Sequence, residues 1–211
     1  MIHVCVPVLR RYDLLRRLLL SLPSDASAHV IDNGRDVTRL APAIEGFVTE
    51  VHVPDRPMGV AESWNWFIKH VSEERVIVND DVTFGPHSLG LLLASKADLV
   101  WAANCGFACF VLRDSCVEKL GLFDETISPG YAYYEDEDYL QRLDGRGTRP
   151  PSAIAENVAC GVQHDKSGTL RAANHREILE HHRRFKIAQR NYAEKWGVEH
   201  EFGLPKREKV S

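Results

Sequence analysis

Two clusters of carboxylates are the groups in this sequence that are best suited to chemistry. Asp80 and Asp81 follow directly after the apolar stretch 76–78, and four acids stand in a row at 135–138. Adjacent anions repel each other unless a positive group lies beside them, and a divalent cation that carries phosphates is a common solution. Because Asn and Asp are also good turn residues, an acidic turn is the other interpretation of 79–81.

The second cluster has aromatic neighbours on both sides, at Tyr131, Tyr133, Tyr134 and Tyr139. If a helix begins at Glu135, its dipole alone would favour acids in the first turn. A helix start does not, however, require tyrosines nearby. Aromatic rings can stack on the C–H surface of a sugar while carboxylates accept hydrogen bonds from its hydroxyls, so one of these acids is a candidate general base.

The elements that must position these groups form an alternating pattern. Short apolar stretches predict strands at 2–9, 28–31, 51–53 and 76–78. Apolar residues at helical spacing predict helices after Asp13 and after Gly59. This alternation predicts an α/β fold with a mostly parallel sheet flanked by helices, and such sheets bind ligands at the carboxyl ends of their strands. Asp32, Asp80 and Asp81 follow such ends.

The second half of the chain is less regular. A strand is predicted at 108–112, and short helices are predicted at 115–120 and 135–143. An amphipathic stripe from Ile178 to Trp196 predicts a long C-terminal helix that ends at Gly197.

No repeat, low-complexity segment or linker divides the sequence, so we expect a single domain over 1–211. We assign its nucleotide-binding half to 1–100, its acceptor and catalytic half to 101–197, and a tail to 198–211.

Composition and charge limit the classes of function. The 211 residues are 44% hydrophobic and 27% charged, which is typical of a globular chain. The formal net charge of -4 gives no general attraction to nucleic acid or to an anionic membrane. The five scattered cysteines are more typical of reduced, buried thiols than of disulfides or a zinc site. Without a signal peptide or an apolar stretch long enough to span a bilayer, we expect a cytoplasmic protein.

Seven motifs occur in a distinctive order along the chain. They are Asp32 after the second strand, the segment 59–65 at the start of a helix, Asn-Asp-Asp at 79–81, the segment 111–115, the segment 121–125 to which it leads, the acidic segment 134–138, and His164 with Ser167. Together they resemble the family 2 glycosyltransferases of GT-A fold. The closing segment 191–197, Asn-Tyr-Ala-Glu-Lys-Trp-Gly, is similar to the end of the rhamnosyltransferase-like members. The resemblance covers nearly the whole chain, from Ile2 to Gly197.

This resemblance implies a nucleotide-binding set, which consists of Pro7, Val8, Asp32, Arg56, Gly59, Asn65 and Asp80. Asp32 would accept the imide N–H of a uracil or thymine, although capping a turn is the alternative role for an Asp before Asn-Gly. Gly59 would let the backbone approach the nucleotide, and Asp80 would lie near the ribose. Pro57 stands where many members have Asn, so Arg56 would supply a phosphate contact instead.

The same resemblance implies a metal site and a base. Asp81 would bind Mn²⁺, with Mg²⁺ as the alternative. His164 would be a second metal ligand or would contact the diphosphate, although a lone His is more often structural than a ligand. Asp136 would be the catalytic base. The residues that would support it and contact the acceptor are Tyr134, Glu135 and Asp138.

The expected activity is transfer of a sugar, with inversion, from a UDP- or dTDP-sugar to an acceptor hydroxyl. A nucleotidyltransferase that acts on a sugar phosphate is one alternative, and a non-catalytic module that binds a sugar nucleotide or glycan is another. The sequence leaves the acceptor open, because a glycan, a glycoprotein and a modified base in DNA all present hydroxyls. Nucleic acid is the least favoured of these.

Overall fold

The computed structural model describes residues 2–47, 49–71, 75–145, 153–165 and 174–198. Strands alternate with helices through most of this chain. The strands are β1 (Ile2–Val8), β2 (Ala26–Asp32), β3 (Thr49–His52), β4 (Arg75–Val78), β5 (Val82–Thr83), β6 (Leu99–Ala102), β7 (Cys109–Leu112), β8 (Ala155–Val158) and β9 (Gln163–His164). The helices are α1 (Tyr12–Leu20), α2 (Val37–Ile44), α3 (Val60–His70), α4 (Ser88–Ala94), α5 (Asp114–Leu120), α6 (Glu135–Leu143) and α7 (His175–Trp196).

Seven strands form one central sheet in the order β3-β2-β1-β4-β7-β6-β8. Only β7 runs against its neighbours, whereas β3, β2, β1 and β4 are mutually parallel and β8 is parallel to β6. Strands from both predicted halves of the chain therefore belong to the same sheet. The predicted mostly parallel α/β architecture with a long C-terminal helix is confirmed.

Helices cover both faces of the sheet because its strands alternate in side-chain direction. Val4, Val6 and Val8 of β1 pack in the layer that also contains the apolar faces of α1, α2 and α4. Cys5 points to the opposite layer, which contains residues of α3, α5 and α6. This burial on both faces explains why the central strands read as continuous apolar stretches.

The long helix α7 packs away from the sheet, on the segment that precedes α6. Ala188 and Tyr192 are fully buried against Ile127 and Tyr134. The helix begins with a capping box at Asn174 and ends where Gly197 adopts a left-handed conformation. Within the described part of the chain, no helix is both long and apolar enough to cross a membrane.

The predicted elements are all present, and the structure adds several. The bounds of α6 agree with the prediction, and α7 ends as predicted but begins at His175, three residues before the predicted stripe. β1 continues through Pro7, although a proline usually interrupts strands. The carbonyl of Val8 accepts a hydrogen bond from Asn33 on the β2 side, so the nitrogen of Pro7 points toward β4, whose pairing with β1 ends at Cys5. No ladder hydrogen bond is lost there.

Candidate active site

The site lies where β1, β2 and β4 end at the same edge of the sheet. Pro7 and Val8 end β1, Asp32 ends β2, and Asp80 and Asp81 follow β4. The register pairs Val8 with Asp32, so these two predicted nucleotide contacts are neighbours. The side chain of Val8 is buried in the core and its carbonyl accepts from the backbone of Asn33, so its predicted contact with a nucleotide stays a prediction.

Asp32 is fully buried at this edge and is partly satisfied by the protein. The hydroxyl of Tyr12 donates to its Oδ1 at 2.5 Å, and the backbone N–H of Arg35 donates to the same oxygen at 3.0 Å. The other oxygen, Oδ2, has no hydrogen-bond partner among the described residues. Leaving a buried carboxylate oxygen unsatisfied costs free energy, which a donor group from a ligand would recover.

The loop between β3 and α3 is held against the end of β2 by Asn33. Its side-chain oxygen accepts from the backbone of Met58 at 2.8 Å, and its amide donates to Ser63 at 3.3 Å. At the next position, a Cβ on Gly59 would lie 2.6 Å from the backbone nitrogen of Tyr131. The absence of a side chain at Gly59 thus makes room for the backbone of Tyr131. The predicted role of Gly59 toward a nucleotide stays a prediction.

Two other predicted nucleotide contacts are engaged with the protein. Arg56 is exposed and forms a bidentate ion pair with Glu62, with nitrogen–oxygen distances of 2.5 and 3.1 Å. Asn65 is buried, donates to the carbonyl of Phe123 and to the carboxylate of Glu125, and accepts from the backbone of Phe123. Asn65 therefore links α3 to the segment 123–125, and no N–H of its side chain is free to contact a nucleotide.

The two predicted metal ligands, far apart in sequence, are brought together. β5 and β9 form a separate two-stranded ribbon in which Val82 pairs with His164. As a result, His164 Nε2 lies 3.1 Å from Asp81 Oδ1. Ser167, which accompanied His164 in the motif, lies outside the described residues.

The electrostatics of this corner favour a cation. Burial, reinforced by the negative charge of Asp81, raises the pKa of Asp80 to about 7. Carboxylate oxygens and an imidazole nitrogen are suitable donors for Mn²⁺ or Mg²⁺. No group of three or more His, Cys, Asp or Glu side chains within the described ranges forms a complete metal site. Asp81 and His164 are two neighbouring potential donors, and their role as metal ligands stays a prediction.

The start of α6 has an unusual backbone. Tyr133 and Tyr134 have φ angles of 98° and 67°, a region that bulky residues rarely adopt. Such strain persists only where the surrounding structure maintains it, and it is concentrated at functional sites. The acids that follow are therefore presented by a locally constrained turn.

The acids at this turn lie in different environments. Glu135 is buried, and burial together with the charge of Asp136 raises its pKa to about 8. Asp136 is partly exposed, and burial raises its pKa as well. A carboxylate with a raised pKa is a stronger base than an ordinary one. Of the three acids predicted to take part, Asp136 is the one that remains partly accessible.

The other two predicted supporting residues are anchored in the protein. Asp138 is completely buried and ion-paired to Arg142 and Lys195. Tyr134 is buried, with its ring centroid 5.5 Å from that of Phe185 and 5.1 Å from that of Tyr192. Both residues therefore tie the acidic turn to α7, and neither is placed to contact an acceptor directly.

Aromatic and basic side chains of α7 flank the turn. The hydroxyl of Tyr133 lies 3.2 Å from Nε2 of His181, and Arg184 stacks over the ring of Tyr131 at 4.9 Å. A salt bridge of 2.7 Å between Arg10 and Glu177 connects the same helix to the loop after β1. The basic residues of α7 are therefore neighbours of the acidic turn.

Sequence reasoning missed several residues that shape this edge. Tyr12 and Asn33 hold the groups around Asp32, and Lys195 and Trp196 hold Asp138. The sequence predicts the segment 191–197 as the end of the long helix and as a family resemblance, but not the contacts that its side chains make. Its dense mixture of polar and aromatic residues was the available signal.

Comparison with known proteins supports the fold. No protein-family profile and no curated protein sequence matches the chain. Staphylococcus aureus TarS, solved with UDP-GlcNAc, is 14% identical, with a TM-score of 0.54 over 92% of this chain and 66% of that one. The inositol-1-phosphate CTP transferase of T. maritima is 12% identical, with a TM-score of 0.51 over 90% of this chain and 96% of that one.

HddC of Yersinia pseudotuberculosis is 8% identical, with a TM-score of 0.50 over 77% of this chain and 92% of that one. At such identities the similarity shows a shared GT-A-like fold. The chain spans just under two thirds of the TarS fragment. The narrower resemblance to family 2 and to rhamnosyltransferases stays a prediction.

Proposed function

We propose that this protein is a metal-dependent glycosyltransferase that moves a sugar from a UDP- or dTDP-sugar to an acceptor hydroxyl with inversion. The observation that carries the proposal is the meeting of Asp81 and His164, 3.1 Å apart, at the carboxyl edge of a GT-A-like sheet. Asp32, the candidate contact to the nucleobase, is the last residue of β2. Asp136, the candidate general base, lies in the first turn of α6.

The donor nucleotide is proposed to bind at the ends of β1 and β2. The unsatisfied Oδ2 of Asp32 is suited to accept the N3–H of uracil or thymine, because an ionised carboxylate offers only acceptors. The backbone of Pro7 and Val8 would flank the base, and Asp80 would lie toward the ribose. A cytosine has no N–H at this position, so the same geometry disfavours it.

Asp81 and His164 are proposed to hold Mn²⁺, with Mg²⁺ as the alternative, together with oxygens of the donor diphosphate. When bound, the ion would neutralise negative charge on the leaving diphosphate. The pKa of Asp80 is raised mainly by burial and further by the charge of Asp81, and a cation bound here would offset both effects. The direct contact between Asp81 and His164 holds both donors at one place.

Asp136 is proposed to remove the proton from the acceptor hydroxyl. The oxygen then attacks the anomeric carbon from the face opposite the diphosphate, and the bond from that carbon to the phosphate oxygen breaks. The products are the glycosylated acceptor and a nucleoside diphosphate, with inverted configuration at the anomeric carbon. The nearby tyrosines favour a carbohydrate acceptor, free or on a protein, because aromatic rings stack on the C–H faces of sugars.

A product assay tests the proposal against its two alternatives. The protein would be incubated with Mn²⁺, a panel of UDP- and dTDP-sugars and a mixed glycan acceptor, and the released nucleotide would be identified. A glycosyltransferase releases nucleoside diphosphate. Formation of pyrophosphate from a nucleoside triphosphate and a sugar phosphate would instead show a nucleotidyltransferase. Donor binding without any turnover would show a binding module.

A further inference from the structure

The last turn of α7 reaches into the protein and binds the acidic turn of α6. The ammonium group of Lys195 lies 2.6 Å from Asp138 Oδ1 and 2.6 Å from Asp124 Oδ2. The indole N–H of Trp196 donates to the same Asp138 oxygen at 3.0 Å. Two consecutive residues of α7 therefore converge on one carboxylate in the first turn of α6.

The second oxygen of Asp138 is occupied as well. The guanidinium of Arg142 contacts Oδ2 at 2.9 and 3.1 Å, and its other nitrogen donates to the carbonyls of Leu120 and Leu122. Asp138 is thus fully buried and held from three directions. We call Lys195, Trp196 and Arg142 the Asp138 clamp.

The clamp also fixes the segment before the acidic turn. Burial alone would raise the pKa of Asp124, but the hydrogen bonds from Lys195 and Thr126 outweigh it and lower that pKa to about 2. One turn earlier on α7, the amide of Asn191 donates to the carbonyls of Thr126 and Ile127. The motif at 191–197 therefore has a physical role, which is to attach α7 to the chain between Asp124 and Asp138.

Helical geometry connects this clamp to the candidate base. Residues two positions apart in a helix are separated by about 200° around its axis, so Asp136 and Asp138 point to nearly opposite sides. Asp138 faces the protein and is immobilised there, while Asp136 is partly exposed. Because both belong to the same helical turn, holding one fixes the direction of the other.

We propose that Lys195 and Trp196 are positioning residues for the transfer reaction, acting on Asp136 through Asp138. This inference rests on the proposed function, because it takes Asp136 as the base. A buried ion-pair cluster is a costly way to stabilise a fold, since apolar residues of similar size often do as well. It does define one geometry, and a displacement of about 1 Å at a reacting group can cost about 100-fold in rate.

The first test compares four variants of α7. Lys195→Met removes the charge and keeps most of the stem, Trp196→Phe removes the N–H and keeps a ring, and Lys186→Met makes the same change at an exposed lysine of the helix. In variants shown to be folded at the assay temperature, Lys195→Met should lower kcat about 10-fold or more with the donor KM within about 3-fold. Trp196→Phe should have a smaller effect, Lys195→Arg should restore most of the rate, and Lys186→Met should match the wild type.

A double-mutant cycle separates positioning from general stability. If Lys195 acts through Asp136, then adding Lys195→Met to Asp136→Asn should change the residual rate by less than about two-fold. A multiplicative loss in the double variant, or an unchanged kcat in Lys195→Met, would overturn the proposal.

Amide hydrogen exchange provides a readout that does not need the reaction. The N–H of Asp138 donates to the carbonyl of Tyr134 at 2.9 Å, and Lys195→Met should speed its exchange while leaving amides of α3 unchanged. If exchange speeds up but no sugar nucleotide is turned over by the wild type, the proposed function is wrong and the clamp is still real. Unchanged exchange at this amide would show that the clamp does not fix the turn.

Discussion

Asp136 is the residue on which the proposed chemistry depends most directly. A base that is needed only for the chemical step should be dispensable for donor binding. We expect Asp136→Asn to reduce transfer by about 100-fold or more while changing the donor dissociation constant only a few-fold. Steady-state kinetics and calorimetric titration of the donor measure the two quantities.

Glu137→Gln is the matched control for this change, because Glu137 is the adjacent, partly exposed acid whose pKa is also raised by burial. It should retain most of the activity. If Glu137→Gln were inactive and Asp136→Asn active, the base would be Glu137 and not Asp136. The fold assignment would not change.

Asp81 gives a second prediction at the scale of a single residue. Because Asp81 and His164 are too few ligands for a stable metal site, Mn²⁺ and the nucleoside diphosphate should bind together. We expect Mn²⁺ to strengthen nucleotide binding about 10-fold or more in the wild type, and Asp81→Ala to abolish this dependence. Titration of UDP with Mn²⁺ and with EDTA measures it, and Asp25→Ala, at an exposed turn, is the control. Equal affinity under both conditions in the wild type would contradict the metal assignment.

Local sequence patterns predict where the acids of the candidate site lie relative to strands and helices, but not which side chains hold them. Asp32, Asp81 and Asp136 follow strand ends or begin a helix, and these local patterns can be recognised in a sequence. The hydrogen bond from Tyr12 to Asp32 and the ion pair from Lys195 to Asp138 join residues that are distant along the chain. Only the packed structure determines such contacts.

At the scale of secondary-structure elements, the entry to α3 is a tightly constrained junction. A Cβ at Gly59 would lie within 2.7 Å of both the nitrogen and the oxygen of Tyr131, whose carbonyl also accepts the N–H of Val60. Gly59→Ala should therefore displace the segment before α6 and cost about 1–3 kcal/mol of stability. Thermal and urea unfolding measure this loss.

At Gly90, within α4, the same substitution should have the opposite effect on stability. Nothing lies within 4 Å of a Cβ at this position, so Gly90→Ala should stabilise the protein by about 0.5–1 kcal/mol. A Gly59→Ala variant as stable as Gly90→Ala would show that the 131–134 segment moves aside freely.

Four of the elements that sequence patterns did not predict lack a clear local signal, for different physical reasons. The two-residue strands β5 and β9 are too short to show any periodicity. The edge strand β8 is mostly exposed, and α2 contains Pro42, which argues against a helix. By contrast, α7 shows a stripe over 22 residues, long enough for the helical period to be unmistakable.

For the molecule as a whole, the buried acids predict how stability varies with pH. The pKa of Glu135 is raised from 4.5 to about 8, so the folded state keeps a proton that the unfolded state loses. Its stabilising effect is therefore complete below about pH 4.5 and is lost as the pH rises to about 8, at up to about 1.4 kcal/mol per pH unit. Asp80 contributes in the same direction up to about pH 7.

Glu135→Gln should accordingly reduce the loss of stability between about pH 5 and about pH 8. Urea unfolding of the ligand-free protein at both pH values measures the change. Glu118→Gln, at an exposed acid of α5, should leave the pH dependence as it is in the wild type. If the free energy of unfolding changed equally with pH in the wild type and both variants, Glu135 would ionise normally in the folded state.

The ribbon of β5 and β9 also determines when the site can exist. His164 comes six residues after the end of β8, and this connection is fastened where the backbone N–H of Gly85 donates to the carbonyl of Gly161. Asp81 leaves the ribosome long before His164 does, since synthesis proceeds from the amino terminus. A nascent chain that already contains Asp32 and Asp81 therefore still lacks the pair of Asp81 and His164. Newly made protein acquires its proposed cation site only after most of the fold has been translated.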